Sequence, residues 1–336
     1  MRKMQLAWLA GVMLVSASLA TAQIVVSGNE NKIDLVSGTA RVVPDAGPDS
    51  LTVIDFSVTS PRVQHVEGIP NSVIGPPTNI ALTPDEQLAF VASSIKIDPR
   101  DPTAFVPDNV VRIVDLEADP PAVIGSVEVG RQPSGISVRG QGDLALVANR
   151  ADGTVSVLSI QGAEVSVRAT VPVGEAEDEI CDVAFAPDGR RAIATNRTRS
   201  LIHLLTVVAG TVEVASETWT GYGGLYHGEI TPDGTLALVA GDGKGWGAGA
   251  ITVVDLEADP TEIVQIEVIG TGPESFAISP DGRLVAAAVI NGSNLAPDDP
   301  LLTDAGRVVL MRLEDRRLSR VQVLPVGRIP EGITFT

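Results

Sequence analysis

Short runs rich in Val, Ile and Leu alternate along this chain with clusters of Gly, Asp, Asn and Pro. Their length and bounding turn residues predict β-strands throughout, with little regular helical pattern. The stretch 134–173 is the clearest unit. It predicts an inner strand at 134–138, a second at 143–148, a third at 154–160 and an outer one at 165–173. Ala151-Asp152-Gly153 reads as the tight turn of a hairpin.

A turn text recurs between these units. It appears as Thr83-Pro84-Asp85-Glu86, Ala186-Pro187-Asp188-Gly189, Thr231-Pro232-Asp233-Gly234 and Ser279-Pro280-Asp281-Gly282, with Arg139-Gly140-Gln141-Gly142 as a degenerate member. Successive copies lie 45 to 56 residues apart. That period, filled with four strand-like runs, predicts an all-β propeller of four-stranded blades. Two third strands end in the same text, Val114-Asp115-Leu116-Glu117-Ala118-Asp119-Pro120 and Val254-Asp255-Leu256-Glu257-Ala258-Asp259-Pro260. The Asp and Pro there set a turn. Six inner strands are visible, the last at 332–335, close to residue 336, where the sequence ends. A seven-bladed ring needs roughly one more blade, so the reading is a seven-bladed type truncated at its C-terminus, with an open edge.

Residues 1–22 carry Arg2 and Lys3, an apolar run from Leu6 to Leu19, and Ala20-Thr21-Ala22. This is the pattern of a secretory signal peptide, which makes 23–336 one propeller domain in the periplasm or outside the cell. No membrane span is expected after cleavage. The net charge of −18 repels phosphate backbones, so nucleic acid is not an expected partner. Cys181 is the only cysteine, which leaves no intramolecular disulfide and no cysteine zinc site.

The stretch from Pro133 to Ile160, with the Pro-Asp-Gly turns and Thr154-Val155-Ser156-Val157-Leu158, resembles the YVTN-type repeats of surface-layer and YncE-like proteins. It is also similar to the seven-bladed lactonase-family propellers. The resemblance covers nearly all of 23–336 and implies an exported propeller that is either a binding protein or a sugar-lactone hydrolase. No catalytic motif carries over residue by residue.

Aligning the inner strands on the turn gives a ring of positions: Thr78-Asn79, Ser134-Gly135, Cys181-Asp182, Tyr226-His227, Glu274-Ser275 and Glu331-Gly332. Each strand starts polar and then turns small and apolar. The candidate site is therefore the channel mouth, with Asp182, His227 and Glu274 as catalytic candidates and Asn79, Ser134 and Glu331 as ligand contacts. Crowded carboxylates raise one another's pKa, which suits acid–base work, and oxygen ligands from several blades suit Ca²⁺ or another divalent cation. Trp219, Tyr222, Tyr226 and Trp246 fall within 28 residues, and flat amphipathic rings beside a polar mouth suit a sugar-like ligand. Long joins at 28–50, 94–109 and 291–306 are expected on the same face, as recognition loops. Two readings follow. The first is an exported binding scaffold for a ligand or protein partner. The alternative is a lactonase-like hydrolase using mouth carboxylates, with or without a divalent metal.

Overall fold

The computed structural model describes residues 23–243 and 247–336. The strands of the third blade are Pro133–Val138, Leu144–Asn149, Thr154–Gln161 and Glu164–Pro172, within one residue of the expected bounds at every end. They pair in chain order into an antiparallel sheet. Among the described residues five such four-stranded sheets occur, preceded by a three-stranded one made of Ile24–Asn29, Ser50–Asp55 and Arg62–Glu67. The fold is an all-β propeller. Among the described residues no helix is long and apolar enough to cross a membrane.

Three copies of the recurring turn are built the same way. Hydroxyls of Thr83, Thr231 and Ser279 donate to Asp85, Asp233 and Asp281 two residues on, at 2.5, 2.6 and 2.6 Å. The same hydroxyls accept from the backbone N–H of Leu88, Leu236 and Leu284, which starts the second strand of each blade. The fourth turn position needs a left-handed residue. Gly189, Gly234 and Gly282 supply it at φ 63°, 75° and 72°, and Glu86 holds it at φ 58°.

Five hydrophobic clusters each join neighbouring blades, from Leu51 with Val91 between the first two to Phe276 with Val253 between the last two. Aliphatic side chains on both faces of each sheet supply this packing, as burial on two sides demands. Loops bridge the sixth blade to the first, where Ser37 N–H donates to the Asn294 carbonyl at 2.8 Å.

Two sequence expectations change form. The join expected at 94–109 is instead the upper part of a long hairpin, Leu88–Asp98 with Asp101–Asp115. Residues 332–335, expected as an inner strand, run along the central channel without strand pairing and line it together with Ile24–Gly28.

Candidate active site

Four inner strands carry a register shift where the polar pair sits: between Pro133 and Ile136, Ile180 and Asp182, Leu225 and Gly228, and Pro273 and Ser275. Such bulges re-aim side chains. Here they send neighbouring residues into two separate cavities. Asn79, Asp182, His227 and Ser275 line the channel, a cavity of about 590 Å³. Tyr226 and Glu274 line a smaller cavity of about 210 Å³, and Glu331 lines both. The single ring expected from sequence is therefore two layers.

In the channel, Asp182 is buried and acts as a clip between blades. Its Oδ1 accepts from Thr78 Oγ1 at 2.8 Å and its Oδ2 from Gly228 N–H at 2.9 Å. Its own N–H donates to Thr195 Oγ1, which donates in turn to the Tyr226 carbonyl. Burial raises its carboxyl to about 7. His227 Nδ1 accepts from Phe276 N–H at 3.1 Å, which leaves the proton of the neutral ring on Nε2. That atom lies 3.7 Å from both Asp182 and Glu229. Burial pushes His227 down to about 3. Glu229, which the inner-strand alignment passed over, accepts from Ile278 N–H at 3.0 Å, and burial raises it to about 8. It occupies the inner-strand position held elsewhere by Ala81, Ala184 and Ala277, and a charge at a small-residue position was the available signal. Asn79 donates to the Ala92 carbonyl at 3.0 Å, a bond between neighbouring strands of its own blade.

The smaller cavity holds unspent polar capacity. Glu274 is 8% exposed, and neither its carboxyl nor that of Glu331 has a hydrogen-bond partner among the described residues. Burial raises Glu274 well above the usual carboxylate range, with the Glu331 charge adding to it. Burial likewise raises Glu331 to about 8. Its place is fixed by Ser275 Oγ, which donates to the Glu331 carbonyl at 2.6 Å. Arg150 reaches the cavity wall with Nη2 tied to Glu179 at 2.8 Å, while its buried Nε has no partner. Asn294 Oδ1 on the wall is also buried without a partner, as is Ser134 Oγ beside Gly75. Such groups cost free energy in an empty site and are satisfied by a polar ligand.

Arg150 is held by a relay across three blades. Glu179 accepts from Arg150 and, at 2.9 Å, from Arg197, which also reaches Asp242 at 2.5 Å. Arg150, Arg197 and Asp242 are equivalent residues just past the second strands of successive blades. The dipeptides Asn149-Arg150 and Asn196-Arg197 repeat at that place, a signal that sequence reasoning missed.

The aromatic residues separate. Tyr226 faces the small cavity, and burial raises its hydroxyl well above the usual range. Tyr222 lies beside Gly241 and Gly243. Trp219, expected in a loop at the mouth, ends an outer strand and is 65% exposed. Trp246 lies outside the described residues. Cys181 is buried, and burial pushes its thiol up to about 12, which leaves it unreactive at neutral pH. Among the described residues no group of three His, Cys, Asp or Glu side chains is arranged to hold a metal ion.

No family model matches the chain, and no curated protein is significantly similar to it. Solved structures are similar in fold. The periplasmic gluconolactonase PpgL of Pseudomonas aeruginosa superposes with a TM-score of 0.64 at 18% identity, over 91% of this chain and 83% of that one. A putative 6-phosphogluconolactonase of Bacteroides uniformis gives 0.58 at 11%, over 84% and 94%. Hydrazine synthase of Kuenenia stuttgartiensis gives 0.59 at 21%, over 78% and 69%. At these identities the likeness concerns the fold alone, a β-propeller.

Proposed function

We propose that this chain is a lactonase-like hydrolase of small sugar lactones and that the 210 Å³ cavity is its active site. The observation that carries the reading is the meeting of two carboxyls, Glu274 and Glu331, in one cavity beside a guanidinium whose buried Nε has no partner. The cavity has the volume of about seven waters, which suits one six-membered polyol ring rather than a chain of them. The gluconolactonase-like propellers among its structural neighbours favour this reading over a binding scaffold, at the level of fold.

Lactone hydrolysis needs a base for the attacking water, donors for the oxyanion and an acid for the leaving ring oxygen. Two carboxyls whose environments hold one protonated while the other ionises divide those roles. Glu331, at about 8, takes the proton of the attacking water, and Glu274 stays protonated and donates to the ring oxygen. Arg150 Nε–H and the Tyr226 hydroxyl face the developing oxyanion. The Arg150–Glu179–Arg197–Asp242 relay fixes the guanidinium plane. No step calls on the divalent ion considered from sequence.

The leader pattern at 1–22 and the periplasmic neighbour support a location for this activity in the periplasm or outside the cell. Kinship with YVTN-type repeats belongs to the same proposal. The test is acid release from glucono-δ-lactone above the spontaneous rate, followed by pH-stat across pH 6–9. The reading expects enzymatic rates that rise through an apparent pKa near 8. A pH profile flat across that window, or no rate above background with any aldonolactone, would remove it.

A further inference from the structure

We propose a second binding site, outside the two central cavities, that takes an amphipathic carboxylate: one carboxyl group on an apolar body. It lies between the loop at 42–49 and the long hairpin Leu88–Asp98 with Asp101–Asp115, and encloses about 770 Å³. That volume falls in the range of small-molecule sites. It shares no lining residue with the 210 Å³ cavity.

The charges on its wall are unevenly spent. Asp49 accepts from Asn31 N–H, Lys32 Nζ and Asn71 N–H, so its carboxylate is fully engaged. Lys32 is held by Asp49 and Glu30. Asp108 accepts from Lys96 at 2.9 Å. Arg112, by contrast, makes no side-chain hydrogen bond among the described residues, and its Nη1 is buried with no partner. Burial pulls its pKa down, with Asp108 and Asp49 opposing that shift. A guanidinium stays charged in any protein environment, so the site keeps an unsatisfied cation.

A planar guanidinium matches a carboxylate through two parallel hydrogen bonds. The rest of the wall is mainly apolar, with Pro44, Pro70, Ile95, Ile97 and Val110, beside the polar Ser93, Thr103 and Asp45. With Lys32 and Lys96 each held by a carboxylate, Arg112 is the cation left to anchor a ligand with one anionic end and a hydrophobic body. In a chain of net charge −18, long-range repulsion discourages anions in general, so only a ligand that also gains from apolar burial is retained.

The experiment is titration calorimetry of the whole protein with octanoate, octanamide and octylamine, which share one apolar body and differ in head group. Octanoate is expected to bind at one site. Octanamide should bind at least about tenfold more weakly, the share of one charge-assisted hydrogen bond, and octylamine not at all. Arg112→Met should erase the preference for octanoate over octanamide, while Glu274→Gln in the central cavity should leave it intact. The head-group comparison needs no variant, so it stands if Arg112→Met fails to fold. Equal binding of acid and amide, tighter binding of the amine, no binding of any, or a preference lost in Glu274→Gln would overturn the proposal. Loss of lactone hydrolysis bears on the other cavity and leaves this outcome untouched.

Discussion

The backbone N–H of Phe276 donates to Nδ1 of His227 at 3.1 Å, from one blade to the next, and the two rings stack with centroids 4.5 Å apart. The bond fixes the imidazole as a neutral ring with its proton on Nε2, facing Asp182 and Glu229. A histidine held this way is a neutral donor rather than a general base. His227 therefore fits a structural role in the channel better than the catalytic one that sequence assigned to it.

That geometry predicts a silent histidine. The folded pKa of His227 is about 3, below its unfolded value, so the unfolded chain takes up the extra proton first. Its contribution to stability is full above about pH 6.5 and is lost as pH falls toward 3. In an NMR titration the His227 ring nitrogen shifts should stay those of a neutral ring protonated on Nε2 from pH 8 to 5, with only small steps as Asp182 and Glu229 titrate beside it. Conversion to imidazolium shifts with a midpoint near 6.5 would contradict the buried neutral ring.

Glu229 carries the opposite sign. Its carboxyl is raised to about 8, so the folded state holds the proton longer than the unfolded chain. Folding stability linked to this group is full below about pH 4 and falls as pH rises through 8. Glu229→Gln removes the titration. Urea denaturation of both proteins should show the variant gaining on the native protein between pH 5 and pH 8. A difference that does not change with pH would show that Glu229 ionises freely.

Asp182 is predicted to be a structural clip. It ties Thr78 of the second blade to Gly228 of the fifth, and a Cβ on Gly135 would lie 2.8 Å from its backbone Cα. Asp182→Ala leaves two buried donors unpaired and should cost roughly 3 kcal/mol in denaturant unfolding. Gly135→Ala should destabilise as well, because the clash is with backbone and cannot swing aside. Asp182→Ala with unchanged stability would reassign the residue from scaffold to chemistry.

Glu86 is the exception in the repeated turn. It holds a left-handed conformation at φ 58° where its four sister turns use glycine. Glu86→Gly should stabilise by about 0.5–1 kcal/mol, the relief of the left-handed backbone less the entropy of glycine. The Glu86 side chain accepts one exposed hydrogen bond, from Gln23 N–H, and its removal subtracts little. A lower unfolding midpoint for the variant would contradict this.

The strands and turns were legible because each rests on local rules. Hydrophobic runs bounded by turn residues and the hydroxyl–aspartate turn are written within a few positions, as Thr231 and Asp233 show. The site was legible only in part. Inner-strand alignment found Asp182, His227, Glu274 and Glu331 but merged them, because the bulges that divide them between two cavities leave no mark in single residues. Glu229 and Arg150 were missed because their roles depend on neighbouring blades. Trp219 was misplaced for a similar reason: it stands seven residues before Tyr226, yet the chain crosses from an outer to an inner strand between them.

The central claim is that Glu274 and Glu331 perform acid–base chemistry on a lactone, and the most direct measurement is kcat/KM for glucono-δ-lactone at pH 8 in the native protein, Glu274→Gln and Glu331→Gln. The account predicts a fall of roughly a hundredfold or more in each variant, with unfolding midpoints no lower than native. Rates in either variant within about twofold of native would contradict it.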